Sequence, residues 1–189
     1  MTAFEPINVP QAAKLRVQDF MLLHDAGAFE KYAKSELIEG EIWVMNAIYS
    51  RHASATADLI YALRVGVDAA GLRLKLYSPL SVDLSDDSLP EPDIALCEKH
   101  PSGPMPLSKV KLLIEVSDST LAIDLGRKAA LYAKAGVPEY WVIDLNENRA
   151  LLHVTPKDGG YAEQIDVPFG EPLHSGTLAG LSVETGDLI

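Results

Sequence analysis

Residues 110–145 have the sequence VKLLIEVSDSTLAIDLGRKAALYAKAGVPEYWVIDL, which decides the fold class. The first apolar run, Val110–Val116, predicts a buried strand. Several residues with capping oxygens follow it and open a helix that is predicted from about Leu121 to Ala135. Glycine and proline end that helix, and a second apolar run, Glu139–Leu145, predicts a further strand. A strand, a helix and a strand therefore follow one another with only short connections.

The rest of the chain adds helices and strands in an order typical of a mixed sheet. A helix over Val17–Tyr32, a hairpin over Glu36–Met45 and a long helix over about residues 50–70 precede a region of mostly strand. This order predicts an α/β protein of the α+β kind, in which helices flank a mixed sheet. We expect a single domain over residues 1–189, with residues 1–12 as a flexible arm.

The composition is that of an ordinary globular protein, with 48% hydrophobic and 23% charged residues. No apolar run approaches the ~18 residues that cross a bilayer, and no secretory signal opens the chain, so we expect no membrane partner. Cys97 is the only cysteine, which excludes an internal disulfide and favours a cytoplasmic location. The net charge of −11 opposes binding to nucleic acids, which usually depends on Lys and Arg.

Two acidic residues stand in apolar strands that neighbour one another. Asp93 lies in Glu91–Leu96, and Glu115 interrupts the run Leu112–Val116. A carboxylate in an apolar strand is costly unless it is paired, hydrogen-bonded or bound to a cation. Two such groups can hold Mg²⁺, or Mn²⁺ in its place, while water and a substrate phosphate complete the coordination shell. The pattern predicts a divalent-metal site for phosphodiester chemistry. The alternative is that Glu115 pairs with a lysine and Asp93 caps a turn.

Lys128 on the predicted helix is the third candidate. At about 100° per residue it shares a helix face with Leu121 and Asp124, in the arc that we expect to face the sheet. A lysine there needs an anion, and the pair Asp93 and Glu115 can supply it. The alternative is a surface pair of Asp124 with Lys128 at i,i+4, with the lysine stem lying over apolar surface.

Two further residues are weaker candidates. His52 opens the apolar stripe of the long helix on the side of the same cleft, although a lone histidine on such a stripe is more often a core residue. Glu39 and Glu41 share a strand face of the hairpin with Trp43, and Glu41 is a further candidate, although a hairpin glutamate is usually solvated. The chain contains no phosphate-binding Gly-x-x-x-x-Gly-Lys sequence and no Gly-x-Ser-x-Gly nucleophile elbow.

Several motifs together resemble a large bacterial family, the Uma-type restriction endonucleases of the PD-(D/E)XK nuclease superfamily. The resemblance spans roughly residues 15–185 and is most specific in the Gly-Val-x-Glu-Tyr-Trp segment. It rests on Glu36–Glu41, Arg51 with His52, Pro92–Ile94, Leu113–Thr120, Asp124 with Lys128, and Tyr132–Asp144.

The resemblance implies a restriction-endonuclease-like core and a set of site residues. In the superfamily the Asp of Pro-Asp and the Glu of Glu-x-Lys bind Mg²⁺, and these match Asp93 and Glu115. Ser117 stands where the motif has its lysine, and Lys128 on the next helix matches a relocated lysine. Glu41 matches the acidic residue that some members add from an earlier element.

The implied activity is Mg²⁺-dependent endonucleolytic hydrolysis of DNA phosphodiester bonds, with Asp93, Glu115 and Lys128 as catalytic residues. Members of this fold often form homodimers, and we expect one here. The apolar residues Leu151, Leu152 and Val154 of the predicted C-terminal hairpin are a candidate interface.

Two other interpretations stay open. The first is a catalytically degenerate dimeric module of the same fold, which the acidic charge and Ser117 favour. The second is a metal-dependent hydrolase of a small phosphorylated substrate, which needs no long basic groove. Activity on mononucleotides but not on plasmid DNA would separate the second interpretation from a nuclease.

Overall fold

A computed structural model describes residues 12–46 and 49–188. Except for Ala12, the arm expected over residues 1–12 lies outside the described residues. The helices are α1 (Val17–Asp25), α2 (Ser50–Ala69), α3 (Leu121–Ile123) and α4 (Ala129–Ala135). The strands are β1 (Lys34–Ile38), β2 (Glu41–Met45), β3 (Lys75–Tyr77), β4 (Val82–Asp83), β5 (Ile94–Cys97), β6 (Met105–Pro106), β7 (Val110–Ser117), β8 (Glu139–Asp144), β9 (Arg149–Lys157), β10 (Gly160–Pro168), β11 (Leu173–His174) and β12 (Ser182–Val183).

Six strands form one mixed sheet in the order β10-β9-β8-β7-β5-β3. The neighbouring strands β7 and β8 are parallel, whereas the other four pairs are antiparallel. Parallel strands need a crossover connection, and the helical segment between β7 and β8 supplies it. The prediction of an α/β fold with a mixed sheet flanked by helices is therefore confirmed.

The side chains of the central strand β7 alternate between two hydrophobic cores. Leu112 and Ile114 pack into the core under α2, which contributes Leu59 and Leu63. Leu113 faces the opposite side, in the core under α4 that also receives residues of β1. Glu115 follows Leu113 at the period of two on this second face. A buried carboxylate thus follows an apolar core residue on this face of β7.

The crossover helix is not regular along its length. A π-helical segment, Asp124–Lys128, joins α3 to α4 without a break. Such segments are rare and occur frequently at functional sites. Its first and last residues, Asp124 and Lys128, are both buried, so the segment directs two charged side chains toward the sheet. The regular helix predicted over Leu121–Ala135 therefore differs from the observed one in its middle turn.

The helix α2 and strand β12 approach one another closely at Gly66. A Cβ atom added there would overlap the backbone carbonyl of Ser182, so the contact requires glycine. In the hairpin, Glu39 and Gly40 have φ values of 49° and 77°, as a two-residue type I′ turn needs. No helix among residues 12–46 and 49–188 is long and apolar enough to cross a membrane.

The prediction that apolar residues of the C-terminal hairpin form a dimer interface is wrong for Leu151, Leu152 and Val154. Leu151, Leu152 and Val154 lie on β9, between β8 and β10, and all three are buried. Leu152 packs into the core under α2 and Leu151 into the core under α4, because β9 is an internal strand of the sheet. They are therefore not available to a second copy.

Candidate active site

The register of two strands brings Asp93 and Glu115 to the same level of the sheet. Ile94 of β5 lies opposite Ile114 of β7 in an antiparallel pair, so the preceding residue, Asp93, lies opposite Glu115. The backbone N–H of Val116 donates a hydrogen bond of 2.9 Å to Oδ2 of Asp93. This bond fixes the first carboxylate against the strand that carries the second.

Two cationic side chains contact Asp93 from different elements. Nε2 of His52 lies 3.1 Å from Oδ2, and Nζ of Lys34 lies 3.4 Å from Oδ1. Burial opposes ionisation, but the hydrogen bond from His52 and the charge of Lys34 hold the pKa of Asp93 well below its usual range. The same hydrogen bond raises the pKa of His52. Asp93 is therefore an ionised carboxylate at neutral pH.

Glu115 is the more deeply buried of the two carboxylates, with 2% of the residue exposed. Its Oε1 lies 2.9 Å from Nζ of Lys128 and accepts a hydrogen bond of 3.0 Å from the hydroxyl of Tyr132. The ammonium of Lys128 also donates to Oε1 of Glu36 at 3.0 Å. Lys128 thus faces the sheet and bridges two acidic residues, instead of forming the surface pair with Asp124.

The cluster contains more carboxylates than lysines. Asp93, Glu115 and Glu36 face the two amines of Lys34 and Lys128. Burial raises the pKa of Glu115 to about 8, against the attraction of both lysines. Burial alone would lower the pKa of Lys128, but Glu115 and Glu36 hold it above its usual range. Glu115 is therefore the carboxylate that is hardest to ionise, and an added cation would favour its ionisation.

The position of the missing Glu-x-Lys lysine is filled by a different polar group. The hydroxyl of Ser117 donates to Oδ2 of Asp124 at 2.7 Å, and the hydroxyl of Thr120 donates to the same oxygen at 2.6 Å. Asp124 is buried, and burial raises its pKa. The π-helical segment thus carries a carboxylate toward Ser117 and an amine toward Glu115.

Three residues near this cluster escaped the sequence analysis. Lys34 and Glu36 both project from β1 toward the carboxylates, and Tyr132 projects from α4. The signal for the first two was present, because Lys34 and Glu36 alternate along a strand with Ile38, a core residue on the same face. The family resemblance pointed instead to Glu41.

Glu41 is not brought to the cluster. Its side chain is half exposed, and its carboxylate pairs with Lys14 at 2.6 Å and with Arg127 at 2.7 Å. It is the first residue of β2, directly after the hairpin turn, and within the described residues it forms no ion pair or hydrogen bond with the cluster. His52, the other weaker candidate, does join the site through its contact with Asp93.

A cavity of about 60 Å³ opens onto these side chains. It is lined by both carboxylates, both lysines, His52 and Asp124. A second cavity, of about 190 Å³, shares Lys34, Lys128 and Asp124 with the first. The remaining wall of the second cavity is mostly apolar and includes Ile38, Trp43, Val44, Met45 and Ile123. The charged side chains therefore line a small cavity that has room for water or an ion. A larger cavity adjoins it.

The donor set suits a hard divalent cation with few protein ligands. Oε2 of Glu115 accepts no hydrogen bond from the described residues, and Oδ1 of Asp93 has only the long contact to Lys34. No group of three or more His, Cys, Asp or Glu side chains within residues 12–46 and 49–188 could hold a metal ion. Mg²⁺ commonly keeps several waters and uses one or two carboxylates plus substrate phosphate, so two carboxylates fit it.

The six-stranded mixed sheet flanked by helices is an α/β fold of the restriction-endonuclease-like class. The chain belongs to the Uma2 family, described as "Putative restriction endonuclease", whose family model matches residues 17–186. A crystal structure of a "putative nuclease belonging to DUF820" from Anabaena variabilis ATCC 29413 has a similar fold, with a TM-score of 0.59 and 18% identity over 82% of this chain and 88% of that chain. A search of curated proteins found no match.

Proposed function

We propose that this protein is a divalent-cation-dependent endonuclease that hydrolyses DNA phosphodiester bonds at Asp93 and Glu115. The observation that carries the proposal is the opposition of these two carboxylates across β5 and β7, at the floor of a cavity that two lysines also line. Membership of a family described as restriction endonucleases supports the choice of DNA as the substrate.

Each side chain has a defined part in the proposed reaction. Asp93 and Glu115 would hold Mg²⁺ or Mn²⁺, which when bound supplies Lewis acidity toward the scissile phosphate and the attacking water. His52 and the N–H of Val116 orient Asp93, while Lys128 and Tyr132 orient Glu115. In hydrolysis the water oxygen bonds to phosphorus and the bond to the leaving oxygen breaks. One water proton passes to solvent, and the leaving oxygen gains one.

The experiment is plasmid nicking in Mg²⁺, Mn²⁺ and EDTA with wild type, Asp93→Asn and Glu115→Gln. Both variants keep the shape of the side chain and remove one ionised metal ligand, so we expect activity to fall at least about 100-fold. Glu184→Gln alters an exposed glutamate and is the matched control, expected to cleave like wild type. Full Mg²⁺-dependent activity in Asp93→Asn would contradict the assignment.

A second candidate function is hydrolysis of a small phosphorylated substrate at the same carboxylates. The net charge of −11 favours it, because long DNA is repelled by an acidic surface whereas a small substrate meets only the local lysines. Nucleoside monophosphates and cyclic nucleotides, incubated with the same protein samples, separate the two candidates. Release of product from these compounds without plasmid nicking would favour the second candidate. Metal binding without either reaction would favour a degenerate module.

A further inference from the structure

The two lysines of the site are held in different ways. Lys128 has short contacts, 2.9 and 3.0 Å, with two carboxylates. Lys34 has one contact of 3.4 Å, to Oδ1 of Asp93, which is long for a charge-assisted hydrogen bond. Both line both cavities. Two of the three ammonium donors of Lys128 are therefore committed to protein at short distance, whereas Lys34 has one long contact and its other two donors are available to a ligand in the cavity.

Strand pairing holds the backbone at Lys34, whose side chain lines the cavity. Lys34 is the first residue of β1 and pairs with Met45 of β2, and the N–H of Ala33 donates to the carbonyl of Met45 at 2.9 Å. Only 10% of the Lys34 side chain is exposed. A desolvated ammonium interacts with an anion more strongly than a surface lysine does, because little water screens it.

We propose that Lys34 is a further catalytic residue, whose ammonium contacts a non-bridging oxygen of the scissile phosphate. This role rests on the proposed function. Negative charge grows on the phosphate oxygens as water bonds to phosphorus and the bond to the leaving oxygen breaks, and a fixed cation beside them lowers the barrier. In this assignment Lys128 is a positioning residue that acts through Glu115. Lys34 thus supplies the charge that Ser117 cannot.

The alternative is that Lys34 serves only as a counter-ion of Asp93. In that case its loss would weaken folding or alter Asp93 without a selective effect on the chemical step. In either role the charge of Lys34 repels a cation held by Asp93, so a neutral residue at position 34 binds Mn²⁺ as tightly as wild type or more tightly. In the catalytic role the chemical rate of the folded, metal-loaded variant falls nonetheless.

The experiment compares Lys34→Gln, Lys34→Arg and Lys128→Gln with the control Lys157→Gln, an exposed lysine of β9. Single-turnover plasmid cleavage gives the chemical rate, calorimetric titration of Mn²⁺ gives the metal affinity, and urea unfolding reports folding. We expect Lys34→Gln to lose about 100-fold or more in rate without weaker Mn²⁺ binding. Lys34→Arg retains more activity than Lys34→Gln because it retains the charge. Lys128→Gln weakens Mn²⁺ binding because Glu115 loses its orientation.

Two results would overturn this role and are distinguishable from each other. Folded Lys34→Gln that cleaves within about threefold of wild type would exclude Lys34 alone and leave the proposed function standing. Wild type that cleaves in no divalent cation would overturn the proposed function together with the role of Lys34. If Lys34→Gln does not fold, Lys34→Met, which keeps the apolar stem, takes its place in the same comparison.

Discussion

Nζ of Lys128 lies 2.9 Å from Oε1 of Glu115, which joins the end of the π-helical segment to the central strand of the sheet. Lys128 follows Glu115 by 13 residues in the sequence, and both residues are buried. Glu36 shares the same ammonium at 3.0 Å. The contact therefore ties three elements of the protein at the floor of the candidate active site.

Replacement of Lys128 by methionine is expected to destabilise the protein by about 3–5 kcal/mol at pH 8.5. Two buried carboxylates lose their shared ammonium, which costs free energy whether Glu115 stays charged without compensation or takes up a proton. Urea unfolding followed by circular dichroism measures the loss. The double variant Lys128→Met with Glu115→Gln should recover part of it, because one uncompensated charge is gone. Equal stability of Lys128→Met and wild type would show that the pair is not formed.

The affinity for Mn²⁺ is expected to rise with pH up to about pH 8. Burial raises the pKa of Glu115 to about 8, so below that pH the free carboxyl carries a proton that a cation must displace. The apparent dissociation constant should fall by up to about tenfold per pH unit between pH 6 and 8 and level off above it. Titrations in two buffers of different ionisation enthalpy report the released proton. A dissociation constant that is independent of pH over this range would contradict the raised pKa.

Glu139 is a buried carboxylate whose loss should affect stability and not the site. Its two oxygens accept five hydrogen bonds, from the side chains of Trp141, Ser175 and Thr177 and from the backbone N–H groups of Gly176 and Thr177. Glu139→Ala leaves these donors without an acceptor and should cost about 3 kcal/mol or more. Glu163→Ala, at an exposed position of β10, should change stability by less than about 0.5 kcal/mol.

Calorimetric titration of Mn²⁺ into Glu139→Ala checks that this effect is separate from the site. Glu139 lines neither of the two cavities described above, so the folded variant should bind Mn²⁺ like wild type. Weaker binding by a folded variant would show that the two regions are coupled.

The parts of the fold that follow from local pattern were predictable from the sequence. The apolar runs of β7 and β8 and the glycine after α4 define a strand–helix–strand unit by propensity alone, although no side chain caps the start of α3. The polar interruptions at Asp93 and Glu115 were visible because burial of a charge in such a strand demands a partner.

Contacts between distant segments were not predictable in the same way. The regular period of an α-helix does not predict the π-helical turn at Asp124–Lys128. It therefore does not predict which carboxylates pair with Lys128. Lys34 and Glu36 lie about 60 and 90 residues before their partners, Asp93 and Lys128, so no local pattern connects them. The single-domain organisation, the homodimer and the cytoplasmic location stay predictions.

The most direct measurement is calorimetric titration of Mn²⁺ into wild type, Asp93→Asn and Glu115→Gln at pH 8. The opposed carboxylates are the two protein ligands of the proposed site, so loss of either should remove most of the binding. We predict a single site in wild type and at least about a tenfold weaker affinity in each variant. Equal affinity in all three proteins, or no binding by wild type, would contradict a metal site at Asp93 and Glu115.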